Sequence, residues 1–283
     1  MMLRPGWVLE TYLGWSVRLS QPGLKLLLRP YGPLLKWLVL AHGVGDSDLE
    51  DALSAHGVGS TRSLIVLNDF RACNALPRVL VGRRLEPVHQ DRWFGVGTFV
   101  VDLTQPAETL WRGISDRRRA RTVTRAGVTV SFTRRPPPGV LEEFFRLHAT
   151  MAGERGIRPL ARPAVARMFA DERVLLADCR DADGRALVMN IIYLGTDEAF
   201  FLYGARATEI PPGAGRLAHW ETMLELQRGG YLRYDLGQVA SCDPSDGIYR
   251  FKRSFGGTFV SFGTEYQWRS AAWRIAYALR RSA

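Results

Sequence analysis

The chain has 283 residues, a net charge of +10 and an apolar fraction of 46%, which indicates a globular protein and excludes a mainly disordered chain. Its three cysteines are far apart, and no Cys/His spacing fits a zinc site, so neither a disulfide framework nor a metal site is predicted. Arg4, Glu10 and Arg18 interrupt the apolar N-terminal segment. This pattern predicts neither a signal peptide nor a membrane span, and we expect a cytoplasmic protein.

The first third of the chain alternates short apolar runs with amphipathic segments. Its predicted elements are strands at 7–13, 24–30, 63–69 and 85–90 and helices at 46–57 and 70–82. A further strand at 97–103 follows these elements. We interpret residues 1–104 as a separate part of the fold that packs with the remainder as one body, because no linker separates them.

A basic helix is predicted after Pro106, since Leu110 and Ile114 recur at helical spacing before a run of arginines. Four of these arginines fall at positions i, i+1, i+4 and i+8, close to one stripe: Arg117, Arg118, Arg121 and Arg125. Fixed guanidinium groups in a stripe suit the phosphates of a nucleic acid. The alternative is a solvated connecting helix.

Positive charge is concentrated in two segments. Residues 112–135 carry eight arginines and one acidic residue, and residues 250–281 carry seven basic residues and one acidic residue. Such patches on a near-neutral body indicate a polyanionic partner. The alternative is a compositional preference for arginine on solvated faces.

The remaining elements follow in the order β-α-α-β-β-β-α-β-α-β. Strands are predicted at 127–132, 198–206, 231–237 and 258–268, and two more lie around an Asp-Gly turn at 173–195. Helices are predicted at 140–156, 162–172, 213–230 and 244–257, and a last basic helix at 268–282. This is the element order of the GNAT acyltransferase fold. The predicted fold class is therefore α/β, with a complete GNAT domain at 105–283.

Several motifs, in order, resemble the FemXAB peptidyltransferases. They are the Asp-Leu strand end and arginine run at 98–130, the helix and strand at 219–239, the segment GIYRFKRSFGG at 247–257 and, more loosely, RPYGPLLKW at 29–37. The resemblance covers most of 24–268. The chain departs from the family in one respect, because the first strand–helix–helix–strand unit of the usual two GNAT domains is missing.

The resemblance implies transfer of an amino acid from aminoacyl-tRNA to an amine of a peptide, a cell-envelope precursor or a secondary metabolite. It implies that Lys252 is the active-site cation and that Phe251 lies beside the acyl group. An aminoacyl ester is already activated, so such an enzyme must mainly position the amine and stabilise the developing oxyanion. Arg253 of the same motif is assigned to tRNA binding together with the stripe.

The loop before the helix predicted at 213–230 leaves CoA as an alternative carrier of the acyl donor. Gly213 and Gly215 fit the glycine spacing with which GNAT enzymes hold the pyrophosphate of CoA at a helix N-terminus. Ile210 stands where those enzymes have Arg or Gln, and Arg216 is a candidate to compensate. A plain loop with a glycine-lined helix start is the alternative.

Three further polar residues are candidates for the acyl site. Asp235 ends a predicted strand and could orient the amine or accept its proton, although turn and cap roles are common for such residues. Tyr203 and Asn190 lie on predicted central strands and could contact substrate or serve as buried core polar groups. His148 and His219 are interpreted as packing residues. No glycine-rich nucleotide motif follows a strand, and no cofactor is predicted.

Three functions therefore remain open: an aminoacyl-tRNA-dependent transferase, an acyl-CoA N-acyltransferase, and a non-catalytic nucleic-acid or envelope scaffold. The two basic patches favour the first of these. The C-terminal helix combines aromatic residues with Arg269, Arg274, Arg280 and Arg281. It could contact tRNA, contact an anionic membrane surface peripherally, or simply pack on the domain.

Overall fold

The computed structural model describes residues 15–69, 78–89, 92–157 and 159–281, which form two compact units. The described residues up to Gly97, together with those from Ser261 onward, make the first unit, and Thr98–Val260 make the second. The sequence analysis predicted a division at 104/105. The C-terminal segment, which we had assigned to the second domain, belongs instead to the first unit, because its strand pairs there.

The first unit is a seven-stranded sheet in the order β1-β2-β3-β4-β14-β6-β5. Its elements are β1 (Ser16–Gln21), β2 (Leu24–Tyr31), β3 (Leu34–Ala41), α1 (Asp46–Ala55), β4 (Ser63–Asp69), β5 (Arg78–Leu80), β6 (Arg83–Val88), β14 (Thr264–Arg269) and α8 (Ala271–Arg281). Helix α1 buries Leu49 and Leu53, one turn apart, in the apolar core on one face of this sheet. Asp46 and Asp48 in its first turn complement the helix dipole.

The second unit is a seven-stranded sheet in the order β13-β7-β12-β11-β10-β9-β8. Its elements are β7 (Gly97–Asp102), α2 (Ala107–Gly113), α3 (Arg117–Arg125), β8 (Thr129–Arg134), α4 (Pro138–Glu154), α5 (Arg162–Ala170), β9 (Val174–Arg180), β10 (Ala186–Leu194), β11 (Glu198–Arg206), α6 (Ala214–Arg228), β12 (Arg233–Val239), α7 (Gly247–Arg253) and β13 (Thr258–Ser261). The element order predicted from residue 127 onward is confirmed.

Two predicted elements are divided in the structure. The single helix expected from Pro106 ends at Ile114 and restarts after Asp116, whose backbone is left-handed at φ 54°. The strand expected at 258–268 is two strands, because Gly263 turns the chain with a positive φ between β13 and β14. Each half then joins a different sheet.

The first unit shows the larger differences from prediction. Strands β1 and β3 were not predicted, and the described part of the helix expected at 70–82 is β5 and a turn. That turn is fixed by Glu50 of α1, whose carboxylate accepts the Val81 N–H at 2.6 Å. The strand predicted at 7–13 lies outside the described residues. Within the described residues, no helix has the length and apolar composition needed to cross a bilayer.

The parallel strand pairs of the two sheets differ in a way that positions the candidate site. In the first unit, β3 pairs with β4 over seven consecutive residues, from Leu35 to Ala41. In the second unit, β11 pairs with β12 over only three residues and stops at Phe200 opposite Asp235. Beyond that pair, the described parts of β11 and β12 are no longer paired with each other.

Candidate functional site

Helix α7 carries Lys252 into the interior of the second unit. The helix is short and is capped by Asp246, whose side chain accepts the Tyr249 N–H at 2.7 Å. Lys252 is only 8% exposed, whereas Arg250 and Arg253 of the same helix are exposed. The three neighbouring cations therefore have different environments, and Lys252 is the one that points inward.

The Lys252 ammonium contacts both strands beyond the point where their pairing ends. Its Nζ donates a hydrogen bond to the backbone oxygen of Gln238 on β12 at 2.8 Å and lies 5.5 Å from the ring centroid of Phe201 on β11. Burial lowers the pKa of Lys252 to about 8, and the carboxylate of Asp235 opposes that shift. A buried lysine with a lowered pKa thus lies where the pairing of β11 with β12 has ended.

Asp235 is hydrogen-bonded within its own strand at the point where the β11–β12 pairing stops. Its Oδ1 accepts the backbone N–H of Gly237 at 2.8 Å, which takes that donor out of the sheet ladder. The Thr98 hydroxyl on β7 lies within hydrogen-bond distance of the same oxygen and of the Gly237 carbonyl oxygen. Asp235 is buried, so the structure gives it a role in shaping β12 beside Lys252.

Gly237 is required for this geometry. Its φ is 78°, and a Cβ at this position would lie 3.3 Å from Lys252 Nζ and 2.9 Å from the Phe201 carbonyl oxygen. Any larger side chain would therefore enter the space that the ammonium occupies. The sequence analysis did not single out Gly237, although a glycine directly after a strand-end Asp-Leu pair is a recognisable signal for a bend.

Aromatic rings enclose the space around Lys252. His219 of α6 packs against Phe201, Phe251 and Phe255, with ring centroids 5.0 to 5.6 Å apart. Its Nδ1 is hydrogen-bonded to the Tyr234 hydroxyl at 3.0 Å. Burial, together with the nearby Lys252 charge, lowers the pKa of His219 to about 3. His219 is therefore a neutral packing residue of this aromatic cluster.

Asn190 and Tyr203, both predicted substrate contacts, lie on opposite faces of the sheet. Asn190 is opposite Gly204 and Tyr203 is opposite Ile191, so the two side chains alternate. Asn190 is 2% exposed, and its Nδ2 has no hydrogen-bond partner within the described chain. A Cβ at Gly204 would lie 3.1 Å from the Phe201 ring. Asn190 thus shares the face of Phe201, whereas half-buried Tyr203 does not.

The start of α6 is covered by the chain itself. Gly213 has a φ of 114°, and a Cβ there would lie 2.4 Å from the backbone oxygen of Arg119 on α3. A Cβ at Gly215 would lie 3.6 Å from the Phe251 ring, which is an ordinary contact. The space that a glycine would leave for a pyrophosphate is therefore occupied at Gly213 by the backbone of α3.

We expect Gly213→Ala to lower the free energy of unfolding of the protein by about 2–4 kcal/mol, because the methyl group adds overpacking to a strained backbone. Gly215→Ala is the matched control two residues away. It should leave stability unchanged or raise it, since alanine is the better helix former. Urea unfolding followed by circular dichroism measures both. Equal stability of the two variants would show that α3 does not pack this closely against Gly213.

Arg216 lies at the same helix start and contacts the site from its edge. Its guanidinium carbon is 5.8 Å from the Phe251 ring centroid, and its Nη2 is 3.6 Å from the carboxylate of Asp116. Its buried Nε has no hydrogen-bond partner in the described part of the protein. Phe251 therefore contacts both Arg216 and the His219 cluster.

The predicted arginine stripe is exposed on α3. The helix packs against α6 through Ala120 and Val123, and all four stripe arginines face solvent: Arg117, Arg118, Arg121 and Arg125. The Arg121 guanidinium lies 5.3 Å above the Trp111 ring centroid. Across the described ranges, none of the four forms an ion pair with a carboxylate. Their charges are therefore available to a polyanion.

A hydrogen bond connects the start of α3, which carries the arginine stripe, to the end of α7, which carries Lys252. The Ser115 N–H, just before α3, donates to the Ser254 backbone oxygen, just after α7, at 2.7 Å. Exposed Arg253 precedes Ser254 directly. The structure thus brings the predicted tRNA contacts of α3 and α7 to neighbouring positions. Among the described residues, no group of three His, Cys, Asp or Glu side chains could hold a metal ion.

Comparison with known proteins identifies the fold. No protein-family model matches the sequence, and no curated protein sequence matches it. A FemX structure matches with a TM-score of 0.65 at 13% identity, over 96% of this chain and 92% of FemX. The C-terminal domain of a protein named as a lysylphosphatidylglycerol synthetase, from Agrobacterium fabrum, matches with a TM-score of 0.62 at 13% identity, over 96% and 89%.

A tandem GNAT protein from the clavulanic acid biosynthesis pathway also matches, with a TM-score of 0.51 at 14% identity, over 86% of this chain and 76% of that protein. At such identities the likeness concerns the fold alone. The chain has a mixed α/β, GNAT-like fold of the kind found in FemX, as the sequence analysis predicted.

Proposed function

We propose that the protein is an aminoacyltransferase, which moves an amino acid from aminoacyl-tRNA to an amine of a peptide or cell-envelope acceptor. The observation that carries the proposal is the position of Lys252. A buried ammonium costs folding free energy, so its presence where the β11–β12 pairing ends calls for a compensating use. Stabilising an oxyanion that forms there is such a use, and it agrees with the FemXAB-like motif around Lys252.

The proposed reaction needs no covalent intermediate. The acceptor amine attacks the carbonyl carbon of the aminoacyl ester, and a tetrahedral intermediate with a negatively charged oxygen forms. This intermediate collapses, the ester C–O bond breaks, and the ribose hydroxyl of the tRNA leaves with a proton that originates from the amine. The products are an amide and an uncharged tRNA.

Lys252 is the residue proposed to stabilise the oxyanion. One of its three N–H donors is held by Gln238, which fixes Nζ and leaves donors for the substrate. Asp235 is proposed as a positioning residue that favours the protonated ammonium and keeps β12 away from β11. Proton acceptance from the amine remains an additional proposal for Asp235.

Other site residues are proposed to hold the substrates. Phe251 would form a wall beside the acyl group, and the unpaired amide nitrogen of Asn190 would donate to it from the Phe201 side. Tyr203 is on the opposite face, so we propose for it a contact with the acceptor rather than with the acyl group. Arg216 and the two loop glycines, Gly213 and Gly215, would border the donor.

Two observations favour tRNA over CoA as the carrier of the acyl donor. The exposed arginines of α3 and Arg253 form a positive patch beside the site, which suits the phosphate backbone of tRNA. The backbone of Arg119 covers Gly213, which argues against a pyrophosphate there. The acceptor is proposed from FemXAB enzymes, which modify peptidoglycan precursors, and from the envelope lipid in the name of the lysylphosphatidylglycerol synthetase.

The test is transfer of radiolabelled amino acids from a pool of charged total tRNA to trichloroacetic-acid-stable, base-stable product in a bacterial lysate depleted of ribosomes. We expect label in an amide-linked product, and none with the same pool deacylated beforehand. Isothermal titration calorimetry with CoA should show no binding. Saturable micromolar CoA binding without transfer from tRNA would instead support the acyl-CoA N-acyltransferase. Absence of both activities would support the scaffold.

A further inference from the structure

Helix α8 presents two large aliphatic side chains to solvent. Ile275 is 63% exposed and Leu279, one turn later, is 68% exposed. Exposed alanines at 271 and 278 continue the same side of the helix. The four residues have the spacing i, i+4, i+7 and i+8, which makes a continuous apolar stripe along the helix.

The opposite side of α8 is fixed to the sheet of the first unit. The indole Nε1 of Trp273 donates to the Leu35 backbone oxygen at 2.9 Å, and its ring packs edge-on against Tyr31 at 5.6 Å. Trp273 also packs against a cluster of buried apolar residues that includes Leu38 and Leu64. The exposed stripe is therefore held outward on a docked helix.

The charge around the stripe has one sign. Segment 268–283 contains four arginines and no acidic residue. Arg274 precedes Ile275 directly and is exposed, while Arg269 lies 4.6 Å from the ring centroid of Tyr277 on the same helix. The helix thus combines an outward apolar stripe with flanking cations.

We propose that α8 docks on an anionic membrane surface, with Ile275 and Leu279 entering the headgroup–acyl boundary and the arginines contacting lipid phosphates. This combination is the one by which interfacial amphipathic helices bind membranes. A tRNA phosphate backbone would use the arginines but not the aliphatic stripe. A second copy of α8 would bring like charges together. An anionic lipid surface satisfies both features.

Vesicle co-sedimentation of the full chain tests this proposal. We expect binding to vesicles of phosphatidylcholine with 30% phosphatidylglycerol, and at least tenfold weaker binding to phosphatidylcholine alone. Ile275→Glu combined with Leu279→Glu should weaken binding at least tenfold. Val79→Glu is the matched control, because Val79 is a 71% exposed apolar residue of the same unit, and it should bind like the parent.

Ile275→Ser is a milder second variant, expected to weaken binding severalfold, and circular dichroism confirms that each variant is folded. Sedimentation of the folded double variant equal to that of the parent would overturn the proposal. Failure of the parent protein to bind the anionic vesicles at low salt would also overturn the proposal. If Arg274→Glu lowered tRNA affinity while the parent ignored vesicles, α8 would be a nucleic-acid surface instead. Because the assay contains no aminoacyl-tRNA, no amino acid is transferred in it, and its outcome is separate from that of the proposed transferase activity.

Discussion

Lys252→Met should lower the kcat/KM of amino-acid transfer by about a hundredfold or more, which is the scale of losing one oxyanion donor. Methionine keeps most of the length of the side chain and removes its charge. The affinity for charged tRNA should change much less, because the contact forms mainly in the transition state. The measurement is single-turnover transfer from radiolabelled aminoacyl-tRNA, with tRNA affinity determined separately by filter binding.

Two comparisons make this result specific. Arg250→Met removes a neighbouring exposed cation of the same helix and should leave kcat/KM within a fewfold of the parent. Lys252→Arg should rescue poorly, because the planar guanidinium does not fit the place of a compact ammonium. Parental turnover in Lys252→Met would remove Lys252 from the chemistry altogether.

The pH dependence of transfer follows from the burial of Lys252. Its pKa in the folded protein is lowered to about 8, so the ammonium is present below pH 8 and is lost as the pH rises through that value. If the ammonium is the active form, kcat/KM should fall above pH 8 in the parent. Lys252→Arg, with a far higher pKa, should have low activity without this descending limb.

Arg118→Glu combined with Arg121→Glu should weaken tRNA binding at least tenfold, because two phosphate contacts become repulsive. The slope of log affinity against log salt should become shallower by about 2. Both side chains are exposed, and an acidic residue in the first turn of α3 suits the helix dipole, so the fold should persist. Filter binding across a salt series measures both effects.

The control for the stripe reverses two arginines elsewhere in the second unit. Arg146→Glu with Arg155→Glu makes the same change in net charge at exposed positions on α4 and at its end. Comparable tRNA affinities for the two double variants would mean that only the overall charge matters. A loss confined to the α3 variant would assign the contact to that helix.

The fold of the second unit was predictable because its elements carry strong local signals. The Asp-Gly turn between β9 and β10 and the apolar spacing of α4 each specify their structure within a few residues. In the first unit, β1, β2 and β3 are joined by two-residue turns at Gly23 and Gly32, both with positive φ. We interpreted the turn at Gly32 as part of the RPYGPLLKW motif and did not predict β3, the strand that follows it.

The geometry of the candidate site could be predicted only in part. The motif around Lys252 identified the residue, but three cations within four positions of α7 are typical of a solvated helix. What turns Lys252 inward is the packing of α7 on the end of β12. The β11–β12 pairing stops at Asp235, whose carboxylate accepts the Gly237 N–H. The glycine after the Asp-Leu pair was a signal for this bend that the sequence analysis did not use. Long-range packing therefore decided only the inward direction of Lys252.

The position of β14 has a consequence for how the chain folds during synthesis. Residues 264–269 lie between β4 and β6 and pair with both, so the first sheet is incomplete until nearly the whole chain has left the ribosome. The residues of the second unit are all synthesised earlier, so this unit can fold while the edges of β4 and β6 still lack their partner strand β14. Unpaired edges of this kind are prone to wrong pairing. A stop codon shortly before residue 264 should therefore yield an aggregating protein, even though it spares every residue of the candidate site.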